Sequence, residues 1–175
     1  PSDRDGYMHL YLYNSNGQLL RKIGNGNFDI TDVYGYDEKT GDVYYQAAAL
    51  NPQDRQIYVA HKDGKTERLT KNEGWNSAVF SSDLRYFVNC WSDYNTPYLY
   101  STCSNSGKVI ANNLDNQPLK QKIREYGWTR RETFSFTTSE GVKLNGWMIK
   151  PADFDPNKKY PVIMFQYSDR RDRKS

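Results

Sequence analysis

Gln56-Ile57-Tyr58-Val59-Ala60-His61-Lys62-Asp63-Gly64-Lys65-Thr66-Glu67-Arg68-Leu69 reads as a strand, a turn and a returning strand. Branched and aromatic residues fill its first half, as they do on a pleated, half-buried surface. Asp63-Gly64 marks the turn, because Asn-Gly and Asp-Gly suit tight hairpins whose central residues both take positive φ. The arrangement occurs twice more. Upstream, His9-Leu10-Tyr11-Leu12-Tyr13 turns at Asn16-Gly17 into Gln18-Leu19-Leu20. Downstream, Pro97-Tyr98-Leu99-Tyr100 turns at Ser106-Gly107 into Lys108-Val109-Ile110. The turn glycines stand 47 and 43 residues apart.

Two more matched segments lie between these hairpins. Phe28 to Tyr36 runs through a turn at Thr40-Gly41 into Asp42 to Ala47, and Trp75 to Phe80 runs through Ser81 to Arg85 into Tyr86 to Cys90. Each repeat therefore holds four short strands. Four strands in roughly 40–50 residues is the pattern of a β-propeller blade. A β-sandwich with regular strand spacing is the alternative, and the matched four-strand unit favours the propeller. On this reading the chain holds the end of one blade and two complete blades. A propeller ring has roughly four to eight blades, so it does not close within these residues.

The pattern changes near Leu114. Asn116 to Tyr126 carries a capping-type Asn, an early Pro and apolar Leu119 and Ile123 four apart, which predicts a short helix ended by Gly127. Glu132 to Thr137 alternates, turns at Glu140-Gly141 and returns as Val142 to Ile149. After the polar loop Asp155 to Lys159, Pro161 to Tyr167 reads as a buried strand, apolar nearly throughout. The expected division is residues 1–115 as propeller blades, 116–168 as a linker and the start of a second domain, and 169–175 as a separate charged tail.

Composition narrows the function classes. The chain has 175 residues, 26% of them charged, with 15 Tyr, 4 Trp and 7 Phe. Its mean hydropathy is −0.94, and no apolar run approaches the ~20 residues of a membrane helix. The net charge of +3 is small, and Asp169 to Ser175 supplies much of it with four basic and two acidic residues. No basic stripe points to nucleic acid. Two cysteines give no metal-ligand spacing. Cys90 and Cys103 flank a hairpin whose midpoint lies near Thr96-Pro97, and a simple register sets them opposite each other. A cross-strand disulfide and a pair of free buried thiols both stand as readings.

Several runs resemble the dipeptidyl peptidase IV branch of the prolyl oligopeptidase family of serine peptidases, with bacterial members most similar. Ser2-Asp3-Arg4-Asp5-Gly6-Tyr7-Met8-His9-Leu10-Tyr11-Leu12-Tyr13 resembles a blade motif of that branch. Asn145-Gly146-Trp147-Met148-Ile149-Lys150-Pro151, with Phe154 to Val162, resembles the entry to its α/β-hydrolase domain. The resemblance spans Ser2 to Ser168. It implies a mainly β fold: the C-terminal blades of a propeller followed by the first strands of a hydrolase domain. It also implies an enzyme that removes Xaa-Pro or Xaa-Ala dipeptides from peptide N-termini, works as a homodimer, is periplasmic or secreted, and needs no cofactor or metal. In the family a tyrosine that ends a hydrolase strand helps form the oxyanion hole and precedes a small residue and Gly-Pro. Tyr167-Ser168 matches this, whereas Asp169-Arg170 departs from Gly-Pro. The tail is therefore expected to be a non-family end on a truncated domain.

A serine hydrolase of that fold needs a nucleophile in a Gly-x-Ser-x-Gly turn and a histidine base. No such run occurs here, and the only histidines are His9 and His61. His9, in an aromatic strand, is expected to be structural, and His61 to be a solvated turn residue. Glu38, Glu67, Glu73 and Glu140 read as turn or face residues, and Trp75, Trp91, Trp128 and Trp147 as core between blades. Tyr167 is the candidate site residue: by resemblance, its phenol donates to the developing oxyanion. A non-catalytic propeller that binds peptides or proteins, and an acylaminoacyl-type peptidase, are the competing functions.

Overall fold

The computed structural model describes residues 1–165. Strands β1 (Leu10–Tyr13) and β2 (Leu19–Ile23) form a hairpin. β3 (Ile30–Tyr36), β4 (Val43–Ala47), β5 (Gln56–Ala60) and β6 (Thr66–Arg68) make a four-stranded antiparallel meander, the first blade. β7 (Trp75–Phe80), β8 (Tyr86–Ser92), β9 (Leu99–Ser104) and β10 (Val109–Leu114) make the second. Helix α1 (Gln117–Glu125) follows, then the hairpin of β11 (Arg131–Thr137) and β12 (Lys143–Ile149).

The repeated turns share one geometry, and it differs from the expected one. Asn14 N–H donates to Gln18 O at 2.9 Å and Gly17 N–H to Asn14 O at 3.0 Å. The same pair of bonds closes His61–Lys65, Ser104–Lys108 and Thr138–Val142. Within these turns only Gly17, Gly64, Gly107 and Gly141 take positive φ, while Asn16, Asp63, Ser106 and Glu140 do not. These are three-residue loops in which a type I turn is followed by one left-handed glycine, so only the glycine needs the special backbone.

Strand alternation then sorts side chains between two cores. Val43, Tyr45 and Ala47 of β4 face the β1–β2 hairpin and pack with Leu10, Ile23, Ile30 and Ala60. Tyr44, one residue out of phase, faces the second blade and packs with Ile57, Val59, Leu69, Phe87 and Cys103. Phe80 stacks on Phe87 at 4.8 Å between centroids and lies 4.9 Å from Tyr44. Leu84, left-handed at φ 55, lays its side chain over Gly35, where an added Cβ would come within 2.7 Å of a Leu84 methyl. The glycine makes room for the leucine.

Polar groups also cross between the blades. Gln46 Nε2 donates to Asn76 O at 2.6 Å. The Asn76 amide donates to Arg55 O and Asn72 O, and its Oδ1 accepts from Asn89 Nδ2 at 3.1 Å. Arg55 and Trp75 meet in a parallel bridge between the blades.

Several sequence expectations are corrected. In the β8–β9 register Cys90 faces Tyr100 and Cys103 faces Phe87, so the cysteines sit three positions out of register. An odd offset puts them on opposite faces, and both are free thiols. Asn116 does not cap α1 with its side chain; it is left-handed at φ 51 and donates through Nδ2 to Tyr98 O. Asp115 Oδ1 takes the Gln117 N–H instead, at 3.1 Å. Trp75, Trp128 and Trp147 are exposed rather than core. The expected buried strand from Pro161 falls partly outside the described residues. Its described part, Pro161 to Phe165, pairs with no strand and is exposed, Ile163 at 97%. A buried strand requires neighbours on both faces, and none of the described elements supplies them.

Candidate functional site

Meander topology divides the loops between two ends. The β3–β4, β5–β6, β7–β8 and β9–β10 turns lie at one end. The β4–β5, β6–β7 and β8–β9 connections lie at the other, and the chain leaves β10 for α1 from that same end.

At the first end, His61 sits at the start of the β5–β6 turn. Its Nδ1 lies 3.1 Å from Asp42 Oδ1 and its Nε2 lies 3.8 Å from Glu67. Arg21 of β2 donates to His61 O and, at 2.5 Å, to Gly41 O, tying the hairpin to two turns of the first blade. His61 is therefore half-buried and partnered, not a free solvated residue. A histidine oriented by a carboxylate is two-thirds of a nucleophile-activating array. Here the other ring nitrogen faces Glu67, and among the described residues no hydroxyl hydrogen-bonds to it, so the array cannot activate a serine.

His9 is 1% exposed, edge-on to Phe28 at 5.6 Å, and neither ring nitrogen has a partner among the described residues. Its ring fills the space beside Gly24, where a Cβ would come within 2.7 Å. That is a packing role. Glu38, Glu67, Glu73 and Glu140 are all exposed.

At the second end, a cleft of about 610 Å³ opens among Gln53, Trp75, Asp93, Tyr98, Tyr100 and Arg131. The Arg55 guanidinium lies 4.8 Å over the Trp75 ring. Cys90 and Tyr100 are cross-strand neighbours, and their hydrogen bond pushes the Tyr100 phenol up. Burial pushes the Cys103 thiol up on the opposite face. No group of three or more potential metal ligands occurs among the described residues.

Tyr167 lies outside the described residues, so its placement rests on sequence alone. The cleft and the loop beside it were not found by reading the sequence. The Asn95 and Arg131 that meet there are 36 residues apart, and neither carries a motif.

Two adjoining four-stranded meanders, each with sequential strand order, are blades of a β-propeller. The structure matches that of Porphyromonas gingivalis dipeptidyl peptidase 4 with a TM-score of 0.87 and 36% identity, over 91% of this chain and 23% of that one. The family model described as the dipeptidyl peptidase IV (DPP IV) N-terminal region matches residues 1–98, and the chain belongs to that family. Among curated relatives, dipeptidyl peptidase 4 of Arthroderma otae is 29% identical over 171 residues, and that of Trichophyton rubrum is 28% identical over the same length. Each alignment covers 95% of this chain and 22% of the relative. The chain thus spans less than a quarter of the length of the proteins it matches.

Proposed function

We propose that this chain is a section of a serine-type dipeptidyl peptidase that releases Xaa-Pro and Xaa-Ala dipeptides from peptide N-termini. The observation that carries the reading is the family match over residues 1–98, continued by similarity to dipeptidyl peptidases along almost the whole chain. Residues 1–115 are propeller blades, 116–168 the linker and first strands of the hydrolase domain, and 169–175 a tail outside the family pattern. The serine, aspartate and histidine of catalysis are supplied by chain not present here, so these 175 residues do not hydrolyse peptides alone. Tyr167 donates to the oxyanion in the intact enzyme. That enzyme is a homodimer in the periplasm or outside the cell.

A chromogenic Xaa-Pro substrate tests this. The 175-residue chain should release no product, and a full-length peptidase containing the segment should. Turnover by the chain alone, or by neither protein, overturns the proposal. In the full-length enzyme, Tyr167→Phe should lower kcat by about 10²–10³, as removal of one oxyanion donor does elsewhere. An unchanged kcat would remove Tyr167 from the site.

A further inference from the structure

The hydrogen bonds that join the propeller strands to the region after Asp115 all start, among the described residues, in the β8–β9 connection. This loop is internally braced. Asp93 Oδ1 accepts from Asn95 N–H at 2.7 Å, and Asp93 N–H donates to Thr96 O at 3.4 Å. The brace presents the Asn95 side chain to a single residue of β11. Asn95 Oδ1 accepts from Arg131 N–H at 2.9 Å, and Asn95 Nδ2 donates to Arg131 O at 3.2 Å. A side-chain amide that exchanges both bonds with the N–H and C=O of one residue copies the hydrogen-bonded pair of an antiparallel ladder. Asn95 thus acts as a one-residue strand on the edge of β11 that β12 does not use.

Two further contacts extend the clamp. Tyr98 O accepts from Asn116 Nδ2, which holds the left-handed turn where the chain leaves β10. The Arg131 guanidinium lies 4.8 Å over the Trp147 ring of β12. The loop therefore grips the backbone of β11, and β11 grips β12. Packing adds little, because every residue of β11 is exposed and β12 is nearly so. With so little buried surface, orientation depends on the hydrogen bonds.

We infer that Asn95 is a positioning residue that sets how the unit beginning at β11 meets the loop end of the propeller. The inference rests on the proposed function, since that unit is read as the start of the hydrolase domain. On that reading the propeller and the hydrolase domain belong to one peptidase, and their relative placement is set where the chain passes from one to the other. Loosening the clamp therefore weakens productive substrate placement more than it slows chemistry. Asn95 touches no reacting atom.

Amide hydrogen exchange on the 175-residue chain tests the clamp itself. Asn95→Ala should speed exchange of the Arg131 amide about tenfold, the size expected for losing an ordinary hydrogen bond and its supporting partner. The Asn89 amide, inside β8, should keep its rate. Asn95→Asp keeps an acceptor for the Arg131 N–H and loses the donor to its carbonyl, so protection should be partly restored. An unchanged Arg131 rate in Asn95→Ala overturns the inference. Kinetics in the full-length peptidase test its consequence: Asn95→Ala should raise KM several-fold with kcat nearly kept, and Asn95→Asp should recover part of it. A fall in kcat alone, or no change in either constant, overturns the positioning role. If the full-length protein releases no dipeptide at all, the proposed function fails, and the exchange measurement still decides whether the clamp exists.

Discussion

The two blades share a topology but not an environment. The first lies between the β1–β2 hairpin and the second blade, and all five residues of β4 are buried. Among the described residues the second has a neighbour on one side only. In β8, Phe87 and Asn89 are buried while Tyr86 and Val88 are exposed. Ile57 and Tyr100 occupy the same place in the repeat, seven residues before Gly64 and Gly107. Ile57 is 0% exposed and Tyr100 is 36% exposed. Val79 is 74% exposed on the same outward face as Val88. A blade is a repeat that cannot bury both faces by itself, and its stability depends on what stacks against it. Apolar residues on the open face of the second blade mark it as a face built for contact rather than for water.

The largest expected break in this comparison is a cavity. Ile57→Ala should cost about 2–5 kcal/mol in urea unfolding, as for other buried aliphatic truncations. Tyr100→Ala, at the matching position, should stay within about 1 kcal/mol. Equal losses would mean that the two faces are equally buried in solution.

The turn glycines sharpen it at the next scale. Gly64 has φ +91 and open space where a Cβ would stand, so Gly64→Ala should cost about 1–2 kcal/mol from backbone strain alone. Gly107 has φ +77, and its Cβ would collide with the Leu69 carbonyl of the first blade. Gly107→Ala should therefore lower the urea midpoint clearly more than Gly64→Ala. The reverse order would show that the second turn is not seated against the first blade.

Alkaline pH probes the buried tyrosines of the first blade. Burial pushes the Tyr34 and Tyr45 phenols up to about 12, although Tyr34 OH accepts from Ala78 N–H at 3.1 Å across the blade boundary. The folded chain holds these protons more tightly than the unfolded chain, whose tyrosines titrate near about 10. Their contribution is complete below pH 10 and is lost as pH rises from 10 to 12. The urea midpoint should fall across that window, and less steeply in Tyr45→Phe. An identical slope in the variant would remove Tyr45 from the account.

The smallest effect is a labelling rate. Cys90, on the open face of the second blade, should react with a maleimide in the native chain. Cys103, buried among Phe87 and Leu69 with its thiol pushed up, should react only as the chain unfolds. Equal native rates would count against the register that separates them.

What the sequence determined by itself is local. The turns at Gly17, Gly64 and Gly107, the strands from Gln56 to Ala60 and from Trp75 to Phe80, and the helix after Asn116 all appear where glycine, alternation and proline place them. The blade reading followed, because spacing between such signals is itself a sequence property. Tertiary structure decided whatever depends on register and neighbours. The β8–β9 loop shifted the pairing and put Cys90 and Cys103 on opposite faces, which no count of intervening residues discloses. Trp75 became exposed and His61 became partnered because of what lay beside them. Gln46, Asn76 and Asn89 look like ordinary surface amides in the sequence, yet Gln46 and Asn76 bridge two blades and Asn89 braces Asn76. Asn95 finds Arg131 only after the chain has passed through β9, β10 and α1. Period and turn chemistry are written in adjacent residues, whereas burial and long-range hydrogen bonds exist only once distant strands have met.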